Sequence, residues 1–232
     1  MVTAMCGRYA TTRTAADLSQ IFAAADETAE SLAPDYNLAP TDPAPIVRVS
    51  ASGGGRVLSV ARWGLVPPWA ADARTGLRMI NARSETLATS RAFGPSFAGK
   101  RCIVPADGWY EWLRTDKGRQ AYYMTDPAEG AGLAFAGLWA ASKHGLTCTI
   151  VTTAALGELA RVHDRMPLLL EPARWAEWLH APADPALLAP PAEAYLSTLE
   201  IRPVGAAVGN VYNDGPELTA RLADPAAQPG LF

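Results

Sequence analysis

The chain has 232 residues, 49% of them hydrophobic and 19% charged. That is enough apolar material for one sizeable core, and it excludes a chain disordered throughout. No apolar run approaches the ~18 residues of a membrane span, and the opening MVTAMCGRYATTRT lacks the apolar segment of a secretory signal. Net charge is −3, but it is unevenly spread. Residues 48–101 carry nine bases against two acids, whereas the last 112 residues carry six bases against twelve acids. Such asymmetry fits a polyanion-binding face on an otherwise acidic protein.

In chain order, TAADLSQIFAAA (14–25) predicts a helix capped by Thr14, with Leu18, Ile21 and Phe22 on one face. The proline-rich APDYNLAPTDPAP (33–45) predicts an ordered loop. PIVRVS and RVLSVARWGLV predict a hairpin across ASGGG, and residues 66–79 predict an irregular connection. SETLATSRAF predicts a short helix from Ser84. CIVPADGWYEWLR, QAYYMTD, LAFAGLWAAS and TCTIVTTAA predict strands, rich in β-branched and aromatic residues. EPARWAEWLHA predicts a helix with Pro172 in its first turn and Trp175, Trp178 and Leu179 on one side. LEIRPVGAAVGNVYN predicts a last strand pair, and the tail from Asp224 is expected to be loose. No repeat or linker interrupts this order. It predicts a single α+β domain over 5–223, with a curved or barrel-like antiparallel sheet and peripheral helices.

Three cysteines (Cys6, Cys102, Cys148) lie far apart, which argues against a disulfide framework and for a reducing, cytoplasmic setting. No CxxC or HxxxH spacing suggests a metal, and no glycine-rich phosphate cradle suggests a nucleotide, so no cofactor is expected. Four segments concentrate polar groups beside aromatics: MCGRYA, INARSET, VPADGWYEW and VHDRMP. Cys6 follows Met5, so a start at Met5 and loss of that methionine makes Cys6 the first residue. An N-terminal cysteine carries an α-amine of pKa near 8 beside a thiol of about 8.5. It alone can condense with an aldehyde to a Schiff base and then close a thiazolidine ring. A buried free cysteine is the ordinary alternative.

Glu111, among aromatics, is either a solvent-facing strand residue or a carboxyl in an apolar pocket that moves protons. Asp107 sits in PADG, which a turn explains. His144 and His180 read as surface residues; His163 is the candidate acid or base. Asn81 and Arg83 share a face of an extended segment, suited to fixing a reacting group and gripping a phosphate. Trp63 reads as core. Trp69, after two prolines, reads as an exposed stacking ring beside arginines.

Together these segments resemble the SRAP family, the SOS-response-associated peptidases, also described as abasic-site processing proteins. The resemblance is carried by MCGRYA (5–10), YNLAPT (36–41), RWGLVPPWA (62–70), NARSET (81–86), RCIVPADGWYEW (101–112), FAGLW (135–139), TTAA (152–155) and HDRMP (163–167). It implies a β-rich α+β fold and covalent capture of abasic sites in single-stranded DNA. In that resemblance Cys6 is the nucleophile, Asn81 the orienting amide, Glu111 the proton shuttle and His163 the group assisting Schiff-base formation. Arg83 and Arg165 would contact phosphates on either side of the lesion, with Arg8 a weaker candidate. Pro40 and Trp69 would wedge or stack where a duplex ends. Self-removal of whatever precedes the cysteine, and an abasic-site lyase side reaction, are also implied.

The family's cysteine stands at position two and here at six, so Met1–Ala4 is expected to be removed or not translated. A monomer in the cytoplasm, on the nucleoid through DNA and with salt-sensitive binding, is the expectation. Two other readings fit the residues: a cysteine peptidase or N-terminal-nucleophile hydrolase acting on peptides in trans, and a non-catalytic single-strand-binding module.

Overall fold

The computed structural model describes residues 6–29, 32–116, 118–128 and 132–222. The expectations for Met1–Ala4 and for the tail from Asp224 lie outside these residues. The elements are β1 (Tyr9–Thr11), α1 (Ala15–Phe22), β2 (Ala24–Asp26), β3 (Asp35–Leu38), β4 (Pro43–Val49), β5 (Arg56–Trp63), β6 (Asn81–Arg83), α2 (Ser84–Leu87) and α3 (Gly94–Gly99). They continue with β7 (Arg101–Ala106), β8 (Gly108–Thr115), β9 (Gly118–Thr125), β10 (Leu133–Ser142), β11 (Gly145–Ala154), β12 (Arg165–Pro167), α4 (Trp175–His180), α5 (Glu193–Leu196) and β13 (Glu200–Val204).

Strands β4, β5, β7, β10 and β11 close into a barrel. β5 pairs with β4, β4 with β7, β7 with β10 and β10 with β11, all antiparallel. A short parallel contact, Thr147↔Arg62 and Cys148↔Trp63, returns β11 to β5. Closure leaves no free edge between these five strands. It also requires glycine at the seam. Gly64 has φ 120° and donates its N–H to Cys148 O at 2.8 Å, and a Cβ there would lie 2.7 Å from Gly76 O.

A second sheet, in the order β13-β9-β8-β1-β3, packs against the barrel. The chain passes from one to the other at Asp107, between β7 and β8. Asp107 accepts from Thr12 N (2.6 Å) and Thr12 Oγ1 (2.7 Å) and pairs with Arg13 (3.2 Å), which pins β1 to this corner.

Strand alternation divides the apolar residues. On β10, Leu133 and Phe135 join Tyr9, Trp63, Trp109 and Ile150 in the cluster that links barrel and second sheet. Ala134, Ala136 and Leu138 face the opposite way, against α1, α3 and α4. Tyr9 stands edge-on to Trp63 (5.2 Å) and Phe135 (5.9 Å), fixing the start of β1 in this core. A third cluster, with Tyr110, Tyr123, Val204 and Val208, lies on the second sheet.

The α+β reading with a closed sheet is correct. Thr14 caps α1 in a reciprocal capping box with Asp17. The ASGGG hairpin and the short helix from Ser84 are present. In the EPARWAEWLHA segment Pro172–Arg174 forms a 3-10 turn and α4 follows, burying Trp175, Trp178 and Leu179.

Two expectations are corrected. The 33–45 loop contains β3, because prolines flank Tyr36–Leu38 without entering it and β1 offers an open pairing edge. The final strand pair is only β13. After Val204 the chain forms a 3-10 turn, Ala206–Gly209, that drives Val208 into the third cluster.

The basic stretch is also smaller than its charge count. Arg101 is buried and donates to Trp178 O (2.5 Å), Phe97 O (2.6 Å) and Ala181 O. Arg48 pairs with Glu27, and Arg56 donates to Phe22 O. Arg101→Ala is expected to destabilise the fold by about 3 kcal/mol, since it strands buried carbonyls at the α3–α4 junction. Urea unfolding measures this, and a loss under ~0.5 kcal/mol, as for an ordinary surface change, would contradict it.

Candidate active site

Pairing of β1 with β8 positions the site. Tyr9↔Trp109 and Ala10↔Gly108 are in register, and Tyr110 N donates to Arg8 O at 3.0 Å. Running that register back toward the amino terminus sets Gly7 opposite Glu111 and brings Cys6, the next residue, within reach of its carboxyl. The Cys6 backbone nitrogen donates to Glu111 Oε1 at 2.7 Å. Both residues are 3% exposed. Cys6 has φ 42°, a left-handed conformation that is unfavourable for a side chain bearing Cβ and is stabilised here by surrounding contacts.

Burial pushes the Cys6 thiol pKa well up, and the Glu111 charge and its hydrogen bond to the thiol push it further. The Arg165 charge opposes both. Burial also raises the Glu111 carboxyl, opposed by the nearby His163 and by the hydrogen bonds from Cys6. The pair is therefore a thiol and a carboxyl in a poorly hydrated place, each held toward its neutral form.

His163 lies in the loop before β12. Its Nδ1 is 3.0 Å from the Arg165 backbone N–H and 3.0 Å from Asp164 Oδ1. The amide donor at Nδ1 assigns the proton of the neutral ring to Nε2. A protonated ring would instead turn Nδ1–H to Asp164. His163 and Glu111 line one cavity of about 730 Å³ that also meets Gly7, Arg8, Trp112, Arg114 and Arg119.

The other sequence-derived residues fall into three groups. Asn81 and Arg83 lie on β6, which pairs in parallel with β11 at Ile150 and Thr152. Ala82, between them, is buried in the opposite direction, so the two do share a face, with Arg83 exposed. Arg165 Nη1 and Nη2 form a fork with Glu85 at 2.5 and 2.9 Å, and Nη2 also donates to Thr152 O at 2.8 Å. That fork holds the Glu85 carboxyl below the usual range.

Arg8 is half-buried in the cavity wall and donates to Asn37 Oδ1 (2.8 Å) and Val208 O (3.0 Å). Pro40 and Trp69 lie apart from this cavity lining. Trp69 is 60% exposed with the Arg91 guanidinium 5.4 Å over its ring, whereas Trp63 is fully buried. Sequence reasoning missed Glu85 and Asn37. Each is the fixed partner of a candidate arginine, 80 and 29 residues away, and no local spacing signals such a pair.

Among the described residues no group of three or more His, Cys, Asp or Glu could hold a metal, and no helix is long and apolar enough to cross a membrane.

The family model for SOS response associated peptidase (SRAP) matches residues 5–211. This chain belongs to the SRAP family. The abasic site processing protein YoqW of Bacillus subtilis is 37% identical to it over 192 residues, covering 80% of this chain and 85% of that protein. The abasic site processing protein YedK of Escherichia coli is 32% identical, covering 92% of this chain and 98% of that protein. A solved protein of Bacteroides thetaiotaomicron superposes with a TM-score of 0.80 at 20% identity, over 94% of this chain and all of that one. A phage-related protein of Bordetella bronchiseptica gives 0.68 at 30% identity, over 90% and 99%. The SRAP match begins one residue before Cys6 and includes every candidate site residue above.

Proposed function

We propose that this SRAP protein processes abasic sites in DNA, and that it captures them in single strands through Cys6. The observation that carries the reading is the 2.7 Å hydrogen bond from the Cys6 nitrogen to the buried Glu111 carboxyl. That nitrogen is the one that must lose a proton and attack. The names of the relatives support the substrate.

The reaction begins with hydrolysis of the Met5–Cys6 bond. In self-cleavage, Sγ attacks the Met5 carbonyl carbon as its proton passes to Glu111, Glu111 returns that proton to the leaving amine nitrogen, and water hydrolyses the thioester to a carboxyl and the free thiol. The freed amine then adds to the aldehyde carbon of the ring-opened deoxyribose. Loss of water gives an imine, Sγ adds to the imine carbon, and the thiol proton ends on nitrogen. The product is a thiazolidine, with one water released overall.

Burial of the thiol makes thiolate scarce, so Glu111 receives its proton as the ring closes. His163, which lines the cavity with Glu111, donates from Nε2 to the sugar oxygen and assists ring opening, and Asn81 orients the reacting sugar. A lyase side reaction follows if the imine loses its α-proton before the thiol adds. Arg83 and Arg8 contact phosphates. A phosphate reaches Arg165 only by displacing Glu85. Trp69 and Pro40 stack or wedge at a duplex end. All these groups come from one chain, so a monomer suffices.

Denaturing intact mass tests the proposal, with a single-stranded oligonucleotide carrying one abasic site. A protein beginning at Cys6 is expected to gain the oligonucleotide mass less one water. A protein expressed from Met5 that has lost its methionine and still forms no adduct would overturn it.

A further inference from the structure

We propose that Arg114 and Arg119, at the rim of the cavity lined by Glu111 and His163, form a phosphodiester-binding subsite for the strand whose sugar reacts at Cys6. This deepens the reading of the cavity as a DNA site and rests on it.

The β8–β9 register sets Arg114 directly opposite Arg119. Both are exposed, and both line the cavity. Among the described residues neither has a hydrogen bond or an ion pair, and Asp116 in the adjoining turn pairs with neither. The protein's other arginines are mostly committed. Arg48 holds Glu27, Arg165 holds Glu85, Arg221 holds Glu200, and Arg101 and Arg174 hold carbonyls.

Two like charges directly opposite on an antiparallel pair repel. An anion between them reverses the sign, and two guanidinium forks match the oxygens of a phosphate.

The position fits a strand. Arg114 is three residues along β8 from Glu111, about 10 Å at the rise of a strand, and by strand alternation lies on the other face, with Trp112; the cavity takes in both faces. Stacked nucleotides are spaced about 3.4 Å apart, so a phosphate within a few nucleotides of the lesion reaches the pair. Trp112 and Arg8 line the same cavity. Among the described residues Glu111 is the only carboxylate in the lining, against the arginines Arg8, Arg114 and Arg119.

The test uses the full chain and an R114Q/R119Q double variant. Binding to an undamaged single strand is followed across a salt series, and adduct formation with an abasic strand is followed across strand concentrations. The variant should lose about 0.7 from the slope of log K against log salt, the value for one phosphate of a single strand. It should need several-fold more strand for half-maximal capture while keeping the saturating capture rate. R114K/R119K should restore the slope.

An unchanged slope in the glutamine variant, with its melting temperature intact, overturns the subsite and leaves capture standing. Strand binding that loses slope without any adduct in the parent overturns capture and leaves the subsite. Inorganic phosphate separates the sources of the anion. If it raises the parent's melting temperature but not the variant's, and the strand slope is unchanged, the pair takes free phosphate and the strand proposal fails.

Discussion

Cys6→Ser, in a protein whose chain begins at residue 6, is expected to lose the heat-stable adduct by more than ~10²-fold while still forming an imine that borohydride traps. The variant keeps the α-amine, so condensation with the aldehyde continues. It lacks a nucleophile able to make a lasting ring, because a hydroxyl adds weakly to the imine and leaves again in water. The fold should tolerate the change. Cys6 is buried, but the Glu111 carboxyl that meets its thiol can accept from a serine hydroxyl. Denaturing gels with and without borohydride read both outcomes. A serine adduct as heat-resistant as the parent's would assign the link to another residue. Loss of the trapped imine as well would mean that the nitrogen, and not only the sulfur, is misplaced.

The barrel strands were legible because they are rich in β-branched and aromatic residues and the turns between them carry glycine or aspartate. ASGGG and PADG are examples, and the second marks the passage from one sheet to the other. β1, β2, β6 and β12 were not legible. Each has three residues, too few for any period to register, and each exists because a longer strand offers it an edge. They nonetheless position the site: β1 carries Cys6 to Glu111, β6 carries Asn81, and β12 carries Arg165. The sequence reading singled out Cys6, after a methionine, and Glu111, among aromatics, and the fold sets the two in hydrogen-bond contact. It did not foresee how the arginines are partnered. Counting charges made Arg101 part of a DNA face, whereas the fold uses it to tie carbonyls together. Only pairing across 80 residues joins Arg165 to Glu85.

Glu111→Gln is expected to slow capture by about 10²–10⁴-fold, the usual contribution of a positioned acid–base group, and to raise stability at neutral and alkaline pH. The two effects share one cause. Burial raises the Glu111 pKa, so the native state binds more protons than the unfolded chain above the unfolded value of about 4.3. Its favourable contribution is complete below that pH and is lost as pH rises through the raised native value. Glutamine stays neutral, and its Oε1 still accepts the Cys6 N–H. The variant therefore escapes that loss, and its melting temperature should exceed the parent's by a margin that grows with pH. Capture moves oppositely, because an amide cannot take the proton from the attacking nitrogen or from the thiol. In the parent, capture should fall on the acid side as Glu111 becomes protonated; in the variant that limb should disappear. Melting curves of the chain that retains residues 1–5, in which the Cys6 nitrogen is an uncharged amide, and capture rates of the chain that begins at Cys6, over one pH series, measure the two effects. An unchanged rate at neutral pH would remove Glu111 from proton transfer. A stability margin flat in pH would show that the carboxyl is already charged in the native protein and is stabilised by His163 and the Cys6 hydrogen bonds rather than opposed by burial.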